Sequence, residues 1–139
     1  MPIKKLWKIL IVDDDPTVHK LIGKSLSAEC FEVHSVTDPT NALTEAQRLQ
    51  PDLMILDLMM PRMSGMDVCR LVKQNPELKN TKVLILSAKE TQDDRIKGLE
   101  YGADDFVSKP FRLTSLVRKI EYMLTKNEEE NSSFNELLQ

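Results

Sequence analysis

The sequence predicts one α/β domain: a doubly wound, five-stranded parallel sheet with helices on both faces. Three observations lead there. Five short apolar runs recur along the 139 residues, segments with helical periodicity separate them, and three of the runs are apolar without alternation. Unbroken apolar runs suit parallel strands that helices cover on both sides. Strand–helix alternation repeated in this way, with right-handed crossovers, gives two helical layers around one sheet. Two domains would leave roughly 70 residues each, below the usual range. A single domain of this size buries about two-thirds of its unfolded surface, so its core requires neither a disulfide nor a metal.

The first strand is Ile9-Leu10-Ile11-Val12. Asp15-Pro16 then offers an N-cap carboxylate and a proline at the first helical position, and Val18, Leu21, Ile22 and Leu26 form the expected buried face of the first helix. The second strand, Phe31 to Val36, mixes in Glu32, His34 and Ser35 and reads as an edge strand. Asp38-Pro39 repeats the start signal before a helix carrying Ala42, Leu43, Ala46 and Leu49. After the third strand, Leu53 to Leu56, a helix begins near Ser64-Gly65, buries Val68, Leu71 and Val72, and ends before Pro76. Val83 to Leu86 is the fourth strand. A fourth helix carries Ile96 and Leu99 and stops at Gly102, a left-handed C′ position. The fifth strand is short, Asp105-Phe106-Val107, and the fifth helix has a clear stripe at Leu113, Leu116, Val117, Ile120 and Leu124. Residues 1–126 form the expected domain, and the polar, acidic 127–139 a frayed tail or the start of a linker.

Composition removes several function classes. No apolar run approaches the ~18 to 20 residues of a membrane span, and the N-terminus lacks the pattern of a signal peptide. A cytoplasmic protein is therefore expected. A net charge of −3, from 19 basic and 22 acidic side chains, argues against direct nucleic-acid binding. Cys30 and Cys69 have no CxxC spacing, so neither zinc nor a disulfide framework is indicated. His19 and His34 are separated, and both read as surface or partly packed residues rather than metal ligands.

In open parallel sheets, ligands bind beyond the carboxyl ends of the strands. There the sequence puts Asp13-Asp14-Asp15, Asp57, Ser87-Ala88 and Ser108-Lys109-Pro110. Asp15 is explained as a helix cap. Packing Asp13, Asp14 and Asp57 together is costly without a cation, and an oxygen-only set suits Mg²⁺, for which Mn²⁺ could substitute. Lys109 and Ser87 add an ammonium and a hydroxyl, the groups a phosphoryl ligand requires.

These stretches together resemble the receiver domain of bacterial two-component response regulators: Val12-Asp13-Asp14-Asp15-Pro16; Asp57-Leu58-Met59-Met60-Pro61 with Gly65; Ser87-Ala88; and Gly102-Ala103-Asp104-Asp105-Phe106-Val107-Ser108-Lys109-Pro110-Phe111. The resemblance covers about residues 7 to 125. It implies the flavodoxin-like strand order 2-1-3-4-5. It also implies a phosphoacceptor signalling switch, not an enzyme proper, with Asp57 taking a phosphoryl group from a sensor histidine kinase or a histidine phosphotransfer protein. Asp14, Asp57 and the backbone carbonyl of Met59 become Mg²⁺ ligands, with Asp13 acting through metal-bound water. Lys109 pairs with a phosphoryl oxygen and precedes a cis proline. Ser87 donates its hydroxyl, Phe106 turns inward in response, and the face of the fourth helix, fifth strand and fifth helix changes. Lys97, Asp104, Asp105 and Lys119 on that face permit a phosphorylation-dependent homodimer.

The chain departs from the family pattern in two places. Phe106 lacks the hydroxyl of the tyrosine that some members carry, so its switching is apolar packing alone. Met59 stands where many members have a polar residue, and with Lys89 it flanks the route of the water that removes the phosphate. Competing readings fail on particular residues. A flavin phosphate would be repelled by Asp13-Asp14-Asp15, and a dinucleotide domain lacks GxGxxG among only four glycines. An aspartyl-phosphate phosphohydrolase needs an Asp where Met59 stands. A receiver that only binds protein is disfavoured by its complete acidic set. No output domain is legible in the chain.

Overall fold

The computed structural model describes residues 6–28, 31–88 and 98–138, as backbone alone from residue 126 onward. Its elements run β1 (Trp7–Val12), α1 (Pro16–Ser27), β2 (Phe31–Val36), a 3₁₀ turn (Pro39–Asn41), α2 (Ala42–Leu49), β3 (Leu53–Asp57) and α3 (Gly65–Gln74). A second 3₁₀ turn (Pro76–Leu78), β4 (Lys82–Ser87), β5 (Asp105–Ser108) and a C-terminal helix (Leu113–Leu138) complete the order. All strand pairs are parallel and the sheet order is β2-β1-β3-β4-β5, which is the expected order.

Alternation along each strand divides the core into two layers. Leu10, Val12, Met54, Leu56, Val83, Ile85 and Phe106 pack with Ala42, Ala46 and Leu49 of α2 and with Val68, Cys69 and Val72 of α3. Ile9, Ile11, Leu53, Ile55, Leu84 and Leu86 face Ile22 and Leu26 of α1 and Leu116, Ile120, Met123 and Leu124 of the C-terminal helix. Cys69 is a free thiol inside the first layer, and burial pushes its pKa up to about 11, so it stays protonated and inert.

The start signals act as their chemistry requires. The Asp15 side chain accepts from the Thr17 amide at 2.9 Å, with Pro16 opening α1. Ser64 and Asp67 form a reciprocal capping box on α3. Asp38-Pro39 opens a 3₁₀ turn first, and α2 follows from Ala42. Gly102 has φ +94°, in the left-handed region predicted for it.

Three expectations are corrected. Leu21 is 51% exposed. The buried stripe of α1 runs through His19, Ile22 and Leu26, and at 3.6 residues per turn Leu21 points about 130° away from its centre. His19 is accordingly buried, whereas a surface or partly packed position was expected. Leu99 is 67% exposed, because the helical segment at residues 98–100 turns Gly98, not Leu99, toward the core. Residues 127–138, which read in sequence as a frayed tail or the start of a linker, are helical here, continuous with the C-terminal helix to Leu138. Once a helix is nucleated, each added residue contributes a hydrogen bond, and Glu and Leu are good helix formers. Cys30, Lys89, Ile96 and Lys97 lie outside the described residues.

Candidate functional site

Strand register assembles the site. Val12 pairs with Leu56, so Asp13 and Asp57 stand level at the ends of β1 and β3. Asp57 pairs with Leu86, which puts Ser87 one residue beyond it on β4. Ser87 pairs with Ser108, so Lys109 follows directly at the end of β5. Four chain-distant residues thus meet because the strands are parallel and in step.

Asp13, Asp14 and Asp57 each offer a carboxylate oxygen, and these oxygens all lie within 4.8 Å of one another. Asp13 and Asp57 are buried, while Asp14 is exposed. Lys109 Nζ reaches between the buried pair, 3.3 Å from Asp13 Oδ2 and 3.5 Å from Asp57 Oδ1. Asp57, only 6% exposed, also accepts a long bond of 3.4 Å from the Met59 amide. Burial raises the pKa of Asp57 above the ordinary carboxylate value, and the Asp13 charge raises it further. Lys109 and the Met59 amide pull it back down.

Among the described residues one ammonium, that of Lys109, lies against Asp13 and Asp57 while three carboxylates converge, so the cluster has room for more positive charge. Its donors are all hard oxygens, the set that Mg²⁺ takes. Ser87 supplies an independent indication of a ligand. It is completely buried, and its Oγ has no hydrogen-bond partner among the described residues. A buried hydroxyl without a partner is uncommon and calls for an explanation, and a phosphoryl oxygen at this strand end is one. The residues present therefore fit both Mg²⁺ and a phosphoryl group.

Gly65 sets the far wall. A Cβ there would overlap the Asp57 carbonyl oxygen, so only glycine lets the first turn of α3 come up against the end of β3. The Lys109-Pro110 peptide is cis, as the family resemblance implies.

The Phe106 ring lies inward, 8% exposed, and packs against Gly98, where only the lack of a Cβ leaves room for it. Of the charged residues expected on the same face, the described ones, Asp104, Asp105 and Lys119, are engaged within the chain. Asp105 pairs with Lys119 at 2.9 Å, and Asp104 with Lys73 at 2.8 Å.

His19, Gly65 and Gly98 are the residues here whose parts sequence reasoning missed. Gly65 stood in the motif without a reason attached. Nothing in the local pattern marked His19, and the Gly98 contact depends on a ring eight residues away in the chain.

The model of the response regulator receiver domain family matches residues 9–121. The chain belongs to the response regulator receiver family. The receiver is 41% identical over 123 residues to the DNA-binding response regulator MtrA of Mycolicibacterium smegmatis, covering 88% of this chain and 53% of that protein. It spans about half the length of the curated relatives it matches. Among solved structures, a CheY-like receiver domain protein from Methanospirillum hungatei matches with a TM-score of 0.84 at 25% identity, covering 91% of this chain and 99% of that one. DrrB, a Thermotoga maritima OmpR/PhoB homologue, matches with a TM-score of 0.80 at 29% identity, covering 88% and 54%. Among the described residues of the receiver, no helix is long and apolar enough to cross a membrane.

Proposed function

We propose that this receiver is a phosphorylation switch in which Asp57 accepts a phosphoryl group from a phosphohistidine. The donor is a sensor histidine kinase or a histidine phosphotransfer protein. An Asp57 carboxylate oxygen attacks phosphorus, the P–N bond breaks, and imidazole leaves with its electron pair, so that an acyl phosphate forms. Asp14, Asp57 and the Met59 carbonyl are the residues to hold Mg²⁺, with Asp13 contributing through water, and Mn²⁺ fits the same donors. The bound cation offsets the negative charge that would otherwise oppose transfer. Lys109, already between Asp13 and Asp57, moves its ammonium to a phosphoryl oxygen. The observation that carries this reading is the Ser87 hydroxyl, buried and without a partner among the described residues, beside the Lys109–Asp57 pair.

Once phosphorylated, the receiver draws the Ser87 hydroxyl to the phosphoryl group and holds Phe106 inward. This biases the face built from the fourth helix, β5 and the C-terminal helix. A symmetric dimer through that face would exchange the half-buried Asp105–Lys119 pair, a near-surface contact worth only about 0–1 kcal/mol. Residues 1–126 form the switch. The switch acts on an output partner or output domain, residues 127–139 form its acidic tail or the start of a linker, and the protein acts in the cytoplasm.

The test is phosphorylation with a small acyl phosphate and Mg²⁺. One acid-stable, base-labile phosphoryl group is expected, absent from Asp57→Ala. Asp14→Ala should lose Mg²⁺ binding while Asp15→Ala keeps it. Retention of the label in Asp57→Ala would overturn the reading.

A further inference from the structure

Asp13 is held at every polar atom. Its amide donates to the Val36 carbonyl at 3.1 Å, Oδ1 accepts from the Asp15 amide at 2.9 Å, and Oδ2 faces Lys109 Nζ at 3.3 Å. The fourth contact comes from α1, where His19 Nε2 lies 2.6 Å from the Asp13 carbonyl oxygen. A carbonyl oxygen only accepts, so Nε2 carries the proton and donates. The His19 ring is only 9% exposed, and Nδ1 has no hydrogen-bond partner among the described residues. An apolar side chain beside Ile22 and Leu26 would fill this position on the stripe without leaving a nitrogen unpaired. What the imidazole adds is the single bond to Asp13.

That bond acts on the loop through peptide geometry. The carbonyl of Asp13 and the amide of Asp14 share one rigid plane, so fixing the carbonyl oxygen fixes the direction in which Asp14 leaves β1. We propose that His19 is a positioning residue: its Nε2–H holds the Asp13–Asp14 peptide so that the Asp14 carboxylate faces Asp57. This inference rests on reading Asp13, Asp14 and Asp57 as the Mg²⁺ site, and it names what orients that site. Outer-shell partners of this kind typically change metal affinity by about 10- to 100-fold.

The test uses three proteins: wild type, His19→Leu, and His19→Gln, whose amide nitrogen can reach the place of Nε2. Each is titrated with MgCl₂ by calorimetry. Exchange of the Asp15 amide, which donates to Asp13 Oδ1, is followed by NMR in metal-free buffer. His19→Leu should bind Mg²⁺ about tenfold more weakly and exchange the Asp15 amide faster, and His19→Gln should restore both. Thermal unfolding identifies any variant that is not folded, and His19→Met then replaces His19→Leu. Wild-type affinity and exchange in a folded apolar variant would overturn the proposal. So would failure of a folded His19→Gln to rescue either readout. If the wild type binds no Mg²⁺, the metal reading falls and this inference with it, whereas Mg²⁺ binding that is indifferent to His19 removes this inference alone.

Discussion

Substituting Gly98→Ala sets two effects of opposite sign against each other. Gly98 is helical, and alanine in place of glycine in a helix gains about 1 kcal/mol. The Cβ it adds would overlap Phe106 Cζ and stand 2.8 Å from Cε2 and 3.1 Å from Cε1. Carbon atoms pack at roughly 3.5–4.0 Å, so the ring must move. The Phe106 backbone is anchored opposite Ile85 in the sheet, which leaves rotation of the side chain toward solvent. Losing its burial removes about 1.5–3 kcal/mol. The loss exceeds the helical gain, for a net destabilisation of about 0.5–2 kcal/mol. For a chain of this size that is a fall in melting temperature of about 2–8 °C, at about 4 °C per kcal/mol. Thermal unfolding by circular dichroism reads the shift, and ring contacts in NMR locate Phe106. A second substitution, Phe106→Leu, shortens the side chain and should remove most of the penalty of the added methyl, so the two changes should not add. A melting temperature at or above wild type for Gly98→Ala would refute the reasoning.

Two further outcomes follow from the site. The raised pKa of Asp57 means that the folded chain holds this proton more tightly than the unfolded chain does. Stability is therefore highest below the ordinary carboxylate range and falls as pH rises through the raised value. Asp57→Asn removes that loss, so in metal-free buffer it should melt above wild type at neutral pH. The gap should close on acidification and on addition of Mg²⁺ to the wild type, and a gap independent of pH would contradict this. Met59, 67% exposed and two residues past Asp57, cannot orient a water by a strong hydrogen bond. Phosphate loss should therefore be slow, and Met59→Asn should speed it about tenfold, or ~1 to 2 kcal/mol, with phosphorylation itself little changed. Decay of the acyl phosphate in the two proteins measures this, and an unchanged rate would clear Met59 of the role.

The strands and most helix starts were legible in the sequence because they rest on local chemistry. Apolar runs without alternation can only be buried strands or core helices, and their length decides for strands. Asp15-Pro16 and Ser64 with Asp67 satisfy amides within three residues of themselves. The acidic loop, Asp57, Ser87 and Lys109 were equally legible, since each ends a strand and strand ends are where such sheets bind ligands.

Tertiary structure decided the rest. Only the register Val12–Leu56, Asp57–Leu86 and Ser87–Ser108 brings Asp13, Asp57, Ser87 and Lys109 to one edge. Only the packed ring of Phe106 gives Gly98 a reason to be glycine. The stripe of α1 shifted to bury His19 in place of Leu21 because a helix turns whichever face its neighbours can pack. Periodicity gives a face to within about one residue's rotation, some 100°. The bond from His19 to the Asp13 carbonyl lies within that uncertainty, and contacts with the sheet resolve it.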